Sequence, residues 1–269
     1  MAGNSVDTLQ ACITLDGSNA DIAYRNISKT GTSYTFNLTD AERKVLRKAV
    51  TSGTSRKLKF YIKTIIGGVT FYSRSGDKTF SLVDALPTIE PNLIDTGSRS
   101  IVLTGNPHTI IKGYNIVKVA ANAIAKKEAT ISSYLISNGA KSITTSEGNL
   151  DYVENDRFTF KVTDSRGNSV TRVVTIPMID YIKLTCNLSS SIELTGGANA
   201  AITLNISGNY FNGSFGATDN TLTIKYRYKA NNGSYTDWIN ATSAITYNDS
   251  GYELKEAIQD LDYQKTYTV

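Results

Sequence analysis

An all-β fold is what this sequence predicts, on three observations. Arg157 to Ile176 reads as strand, turn and strand. Phe158, Phe160 and Val162 alternate with Thr159, Lys161 and Thr163, and Asp164-Ser-Arg-Gly-Asn supplies a turn in which Gly167 can take a positive φ. Val170, Val174 and Ile176 then resume an apolar face. Composition points the same way: 16 Tyr against 8 Phe and 1 Trp, among abundant Ser, Thr, Asn and Gly, suits β-proteins exposed to the medium. Finally, Pro87, Pro91, Pro107 and Pro177 mark turns and junctions, as expected of a residue excluded from central strands. With 269 residues the chain is too long for one small sandwich and fits two or three of about 100 residues each. The expectation is therefore tandem immunoglobulin-like β-sandwiches with short crossover helices, divided as 1–87, 88–179 and 180–269.

In the first module, Val6–Leu15, Ile22–Ile27 and Tyr34–Leu38 read as strands. Thr39-Asp-Ala-Glu42 is a capping box that opens a helix over 40–50, with Ala41, Val45, Leu46 and Ala49 on one face and Ser52-Gly53 as its stop. The cluster Arg43, Lys44, Arg47 and Lys48 fits the solvated side of that helix. Leu58, Phe60 and Ile62 alternate with lysines and Tyr61, Gly67-Gly68 makes a hairpin turn, and Phe71–Val83 returns.

In the second module, Ser100–Leu103, Asn115–Ala121, Ala129–Ser137 and Ser142–Thr145 read as short strands, closed by the Arg157 hairpin. Ala120–Ala129 has helical propensity but builds no apolar face, so strand and loop are preferred. The third module is expected to hold strands at Ile182–Leu188, Ala201–Ser207, Leu222–Tyr228, Tyr235–Ile239 and Ala244–Tyr247. A second capping box, Ser250-Gly-Tyr-Glu253, then opens a helix with Leu254, Ile258 and Leu261 on one face, and Lys265–Val269 begins a strand. Modules one and three share this plan as a weak internal repeat. Module one reads as lacking its first strands and module three its last, so either the chain is a piece of a longer one or a neighbour completes the sheets by strand addition.

Charge and cysteine content narrow the function classes. The 28 basic and 24 acidic residues leave a net charge of +4 without a basic stripe, which argues against nucleic acid. Apolar runs such as Ile65-Ile66 fall far short of the roughly 20 residues a bilayer requires, so no membrane insertion is expected. Met-Ala-Gly-Asn-Ser-Val carries no secretory signal pattern. Cys12 and Cys186 fall in different modules and are not expected to pair, which suits folding in a reducing compartment.

Little in the chain resembles catalytic chemistry. The single histidine, His108, sits in a Gly-Asn-Pro-His turn and reads as an exposed loop residue, and no cysteine or histidine spacing fits a metal site. Asp164-Ser-Arg-Gly-Asn and Asp219-Asn220 read as turns rather than Ca²⁺ loops. Glu147, Asp151, Glu154 and Asp156 could supply paired carboxylates but suit a solvated crossover loop. Asn26, Asn37, Asn187, Asn205 and Asn240 begin Asn-x-Ser/Thr triplets, as chance allows in so Asn/Ser/Thr-rich a chain. No enzyme, catalytic residue, metal or cofactor is expected. One cluster suggests binding: Tyr226, Tyr228, Tyr235 and Trp238, with Asn231 and Asn232 between them, combine aromatic surfaces with amides that suit sugar rings. The same aromatics could instead fill a module's core and rim.

Ser33-Tyr-Thr-Phe-Asn-Leu-Thr-Asp-Ala-Glu-Arg43, Lys59-Phe-Tyr-Ile-Lys-Thr64 and Ala129-Thr-Ile-Ser-Ser-Tyr134 with Asn138-Gly139 form a series. Phe160-Lys-Val-Thr-Asp-Ser-Arg-Gly167 and Asp260-Leu-Asp-Tyr-Gln-Lys-Thr-Tyr-Thr-Val269 continue it. In these stretches the chain resembles minor structural proteins of tailed phages of Gram-positive bacteria, of the streptococcal siphophage type. The resemblance implies a virion component of tail tip, baseplate or tail fibre, made in the bacterial host cytoplasm, with immunoglobulin-like modules and no catalytic residues. The role expected of the chain is structural, with host attachment through a displayed wall-binding surface. The expected partners are other phage tail or baseplate proteins, further copies in a homo-oligomer within the virion, and host cell-wall polysaccharide. The alternative is a bacterial surface adhesin or carbohydrate-binding protein.

Overall fold

A computed structural model describes residues 6–15, 20–249 and 251–269. The described residues are mostly β, with 51% in strands and 7% in two helices, as an all-β protein requires. No described helix is long and apolar enough to cross a membrane. Along the chain lie β1 (Thr8–Thr14), β2 (Ile22–Asn26), α1 (Asp40–Ala49), β3 (Ser55–Ile66), β4 (Val69–Arg74), β5 (Lys78–Ser81) and β6 (Thr88–Asp95). There follow α2 (Ser98–Thr104), β7 (Ile110–Ile111), β8 (Ile116–Ile124), β9 (Ile131–Asn138), β10 (Lys141–Ile143) and β11 (Glu147–Asp151). The hairpin is β12 (Arg157–Asp164) and β13 (Ser169–Thr175), followed by β14 (Met178–Ile179), β15 (Asn187–Gly196) and β16 (Asn199–Asn209). The last elements are β17 (Lys225–Tyr226), β18 (Lys229–Ala230), β19 (Ile239–Asn240), β20 (Thr246–Tyr247), β21 (Gly251–Asp262) and β22 (Tyr267–Thr268). The fold gathers into two compact units, Met1–Leu93 with Lys118–Leu150 and Arg157–Thr175, and Ile94–Val117 with Asp151–Asp156 and Ile176–Val269.

In the first unit, one sheet has the order β2-β1-β3-β4, with β5 pairing the start of β3. Gly67 and Gly68 both have positive φ, so the turn between β3 and β4 favours residues without a Cβ. Helix α1 is capped as its sequence predicts: Thr39 and Glu42 exchange side-chain and backbone hydrogen bonds. Leu46 packs with Ile13, Ile22 and Leu58, and Phe36, Leu38, Phe60 and Phe80 border that cluster. A second sheet runs β10-β9-β12-β13, and a third β11-β8-β6. Phe158, Phe160 and Val162 point inward and are fully buried, with Phe160 directly opposite Ile136.

In the second unit, β15-β16-β21-β20 form a four-stranded sheet. Leu204, Ile206, Leu254 and Ile258 cover one of its faces, and Leu222, Ile224, Tyr226, Tyr228, Ala241 and Ile245 pack onto that face as a second layer. Elsewhere in this unit β7 and β14 pair in parallel, and Tyr181 stacks with Phe211 and Phe215 at centroid distances of 6.0 and 5.9 Å. Buried Asn115 bridges Ile111 and Val153, donating to both carbonyls and accepting from the Val153 N–H.

Several local expectations are corrected. Residues 251–262 form β21, not a helix; Ser250 of the expected capping box lies outside the described residues. Leu254 and Ile258 share a strand face because they are an even number apart, but Leu261 is not. A bulge resolves this: Ala200 and Ile202 are two apart while their partners Leu261 and Ile258 are three apart, with Asp260 left-handed at φ 57°. The extra residue returns Leu261 to the core face and so mimics helical spacing.

Ser98–Thr104 is helical where Ser100–Leu103 reads as a strand. The Asp95 carboxylate accepts from the Gly97 and Ile116 N–H groups and lies 2.5 Å from the Ser100 hydroxyl, which sets the first turn. A Cβ on Gly97 would fall 2.6 Å from that hydroxyl oxygen, and Gly105 closes the helix at φ 66°.

Tyr34–Leu38 joins no ladder; Phe36 and Leu38 instead pack as core side chains while Arg25 binds the Asn37 carbonyl. Ala41 and Val45 of α1 are exposed, so the buried face of this helix is narrower than its pattern implies. Strand β15 begins at Asn187, not Ile182, and the expected strands over 222–247 shrink to two-residue ladders.

Candidate functional site

The aromatic cluster lies on a ribbon formed by residues 224–230 and 235–241. Lys225 pairs with Asn240 and Tyr226 with Ile239, and Thr236 donates its N–H to the Tyr228 carbonyl at 2.9 Å. The turn between these segments is built by backbone needs: Gly233 donates to the Ala230 carbonyl, and Asn232 is left-handed at φ 62°. Asn231 and Asn232 are both exposed there. On the far side, β18 pairs with β22, Lys229 opposite Thr268.

The predicted site residues divide between two faces. Tyr226 and Tyr228 alternate with the outward Arg227. The pairing slips by one residue between Tyr226–Ile239 and Tyr228–Thr236, which lets Tyr235 and Trp238, three apart, share the outer side. Tyr226 and Tyr228 point inward and pack on the core cluster, and Tyr228 meets Tyr267 edge-to-face at 6.2 Å. Burial, followed by the Glu256 carboxylate and Tyr228, pushes the Tyr226 phenol above its ordinary range. Tyr235 and Trp238 are on the outer face, 41% and 61% exposed. Arg227 brings these two together: its guanidinium lies 4.5 Å from the Tyr235 ring and 4.7 Å from the Trp238 ring, and the Lys229 ammonium lies 4.9 Å from Tyr235. Sequence reading passed over Arg227, although its alternation with Tyr226 and Tyr228 was a signal that it faces outward.

Glu256 is a second residue that only the structure reveals. It is a buried carboxylate on β21 that accepts from the Thr242 and Ser243 N–H groups and the Thr242 hydroxyl, at 2.8–3.2 Å. Burial pushes its pKa up, but the hydrogen bonds from Ser243 and Thr242 outweigh that and hold it below the usual carboxylate range. The effect is to pin the segment that follows β19 to the sheet below.

Beside the ribbon is a cavity of about 320 Å³, lined by Leu188, Leu204, Ile206, Ile224, Tyr226 and Trp238 among others. Its floor is core: Leu204 has no exposed surface.

The remaining candidate groups are dispersed. His108 is an exposed loop residue whose N–H is held by the Asn106 side chain. Glu147, Asp151, Glu154 and Asp156 are all exposed. Asp164 is buried and spends its carboxylate on the N–H groups of Arg166 and Asn168 in its own turn. Cys12 is buried and Cys186 exposed, both as free thiols. Among the described residues, no group of three His, Cys, Asp or Glu is placed to hold a metal ion. The outer face of the ribbon thus offers aromatic stacking surface, fixed cations and turn amides. No family model matches this chain, and no curated protein matches it.

Proposed function

We propose that the chain is a structural component of a phage virion tail, in the tip, baseplate or fibre, built of immunoglobulin-like modules that display a host-wall contact. The sequence resemblance supports the tail role. The contact rests on one observation, the outward stack of Tyr235, Arg227 and Trp238 on a ribbon anchored from beneath. Aromatic planes of this kind lie against the apolar faces of sugar rings, and the exposed Asn231 and Asn232 at the turn supply hydrogen bonds to hydroxyls. Holding the guanidinium between two rings limits its freedom before a ligand arrives, which lowers the ordering cost of binding. On this reading the chain is not an enzyme, and it assembles with other tail or baseplate proteins and with copies of itself.

Antibody raised to the chain and applied to particles from a lysate of the organism that encodes it should label the tail end. Label on the bacterial surface, with none on particles, would replace this reading with a surface adhesin that uses the same aromatic contact.

A further inference from the structure

We infer that the second unit carries a groove along α2 for an organic anion, a carboxylate joined to an aromatic or branched apolar body. This inference does not depend on the tail reading.

Two cavities of this unit share Tyr114 as a wall. One, of about 280 Å³, is lined by Arg99 and Tyr152 among others. The second, of about 290 Å³, is lined by Leu103, Tyr181 and Phe215 among others. Each approaches the size of a small-ligand pocket, which begins at roughly 300 Å³. Arg99 and Leu103 stand four residues apart on α2, hence on one side of it and about 6 Å apart along its axis. Tyr114 serves both cavities: its hydroxyl is a hydrogen-bond partner of the Arg99 guanidinium, and its ring lies 6.5 Å from that of Tyr181. The groove is therefore cationic at one end and aromatic at the other.

The frame of the groove is set without a ligand. Buried Asn115 is tied to Ile111 and Val153, and its carbonyl accepts from the Tyr152 N–H at 2.8 Å. Tyr152 itself is left-handed at φ 52°, a conformation that costs free energy for so bulky a residue and persists only where its surroundings impose it. Its ring is thereby kept at the rim of the first cavity, 57% exposed. Charge then selects the ligand. Of the described residues that line the two cavities, Arg99 alone is charged. Among the described residues, no carboxylate stands within ion-pair distance of it. The Asp95 carboxylate stands behind the wall, buried and engaged by the Gly97 and Ile116 N–H groups and the Ser100 hydroxyl. A single guanidinium balances the single charge of a carboxylate and can bind it through two parallel hydrogen bonds. Leu103, Tyr181 and Phe215 then offer the apolar body a surface that a bare ion could not use.

Three probes test this on the full chain by amide NMR titration: phenylacetate, phenylacetamide and acetate. Phenylacetate should saturably shift the signals of Arg99, Leu103 and Tyr114. It should bind about ten-fold tighter than phenylacetamide, which lacks the charge, and than acetate, which lacks the ring. Arg99 is exposed, so Arg99→Gln should keep the parent's circular dichroism. In that variant phenylacetate and phenylacetamide should bind within about two-fold of each other. No saturable shift with any probe, or shifts confined to other residues, would overturn the proposal. So would equal affinity of the parent for phenylacetate and either other probe, or a preference for phenylacetate over its amide that survives Arg99→Gln.

Discussion

Arg166 donates from Nε to the carbonyl oxygen of Val50 at 2.7 Å, across 116 residues of chain. The same guanidinium reaches the carbonyls of Arg47, Lys126 and Lys127. Arg47 and Val50 lie at the C-terminal end of α1, where unsatisfied carbonyls favour a cation. Gly53 reinforces the joint by donating its N–H to the Arg166 carbonyl and accepting from the Asn168 amide. The β12–β13 turn therefore fastens α1 and the loop after β8 within the first unit.

Arg166→Lys should lose most of this joint, because an ammonium cannot reproduce the planar fork. Arg166 is 6% exposed, so water cannot freely replace the lost bonds. Urea unfolding should show a loss of about 2–3 kcal/mol. A variant with the parent's midpoint and slope would refute the clamp.

Gly208 has no room for a side chain. A Cβ there would fall 1.9 Å from the Thr185 carbonyl oxygen, which is backbone and cannot rotate away. Gly208→Ala should destabilise the second unit by more than about 3 kcal/mol, visible as a fall in melting temperature or loss of soluble protein. Gly76, with open space around its Cβ position, should accept Ala with little change and serves as the control.

Acid should weaken the fold through carboxylates whose pKa folding lowers, Glu42 and Glu256 among them. Arg25 grips Glu42 with hydrogen bonds of 2.6 and 2.7 Å, and the Thr39 N–H adds to this, so its pKa falls to about 2. Glu256 is also lowered. Each binds its proton more weakly folded than unfolded, so its contribution is present above the ordinary carboxylate pKa of about 4.3 and is lost as pH falls towards the folded value. Melting temperature should drop from about pH 5 to about pH 2, and Glu42→Gln should flatten part of that slope. An identical pH profile in the variant would remove Glu42 from the account.

Much of the fold was legible because local signals and burial agree. Phe158, Phe160 and Val162 alternate in sequence and are buried in the structure, and the Thr39–Glu42 box caps α1 as read. Misreadings arose where a nonlocal contact decides the outcome. The spacing of Leu254, Ile258 and Leu261 looks helical until the bulge opposite Ala200 and Ile202 is known. Ser100 becomes helical because Asp95 holds its turn. At the candidate site, composition pointed to Tyr235 and Trp238, but their separation from Tyr226 and Tyr228 depends on which face meets the core. Arg227 and Glu256 act through cross-strand partners that residue types alone do not disclose.

Glu256→Gln tests whether the ribbon is held from below. One end of the amide cannot accept from the Ser243 or Thr242 N–H, so stability should fall by about 1–3 kcal/mol. Exchange should quicken at the Thr242 and Ser243 amides before the core of β16 and β21 opens. Unchanged exchange at those amides would mean that the ribbon is fixed by other contacts.

The central claim is that the outer face of the ribbon is a wall contact. Trp238→Ala removes a mostly exposed side chain at the rim of the cavity beside the ribbon, outside the buried cluster, so the fold should survive with a melting temperature within a few degrees of the parent's. Sedimentation with purified cell walls of the bacterium whose lysate yields the chain should then show at least about ten-fold weaker binding than the parent, since an aromatic anchor at a binding surface typically costs over 1 kcal/mol when truncated. Equal wall binding by parent and Trp238→Ala, at equal stability, would contradict the account.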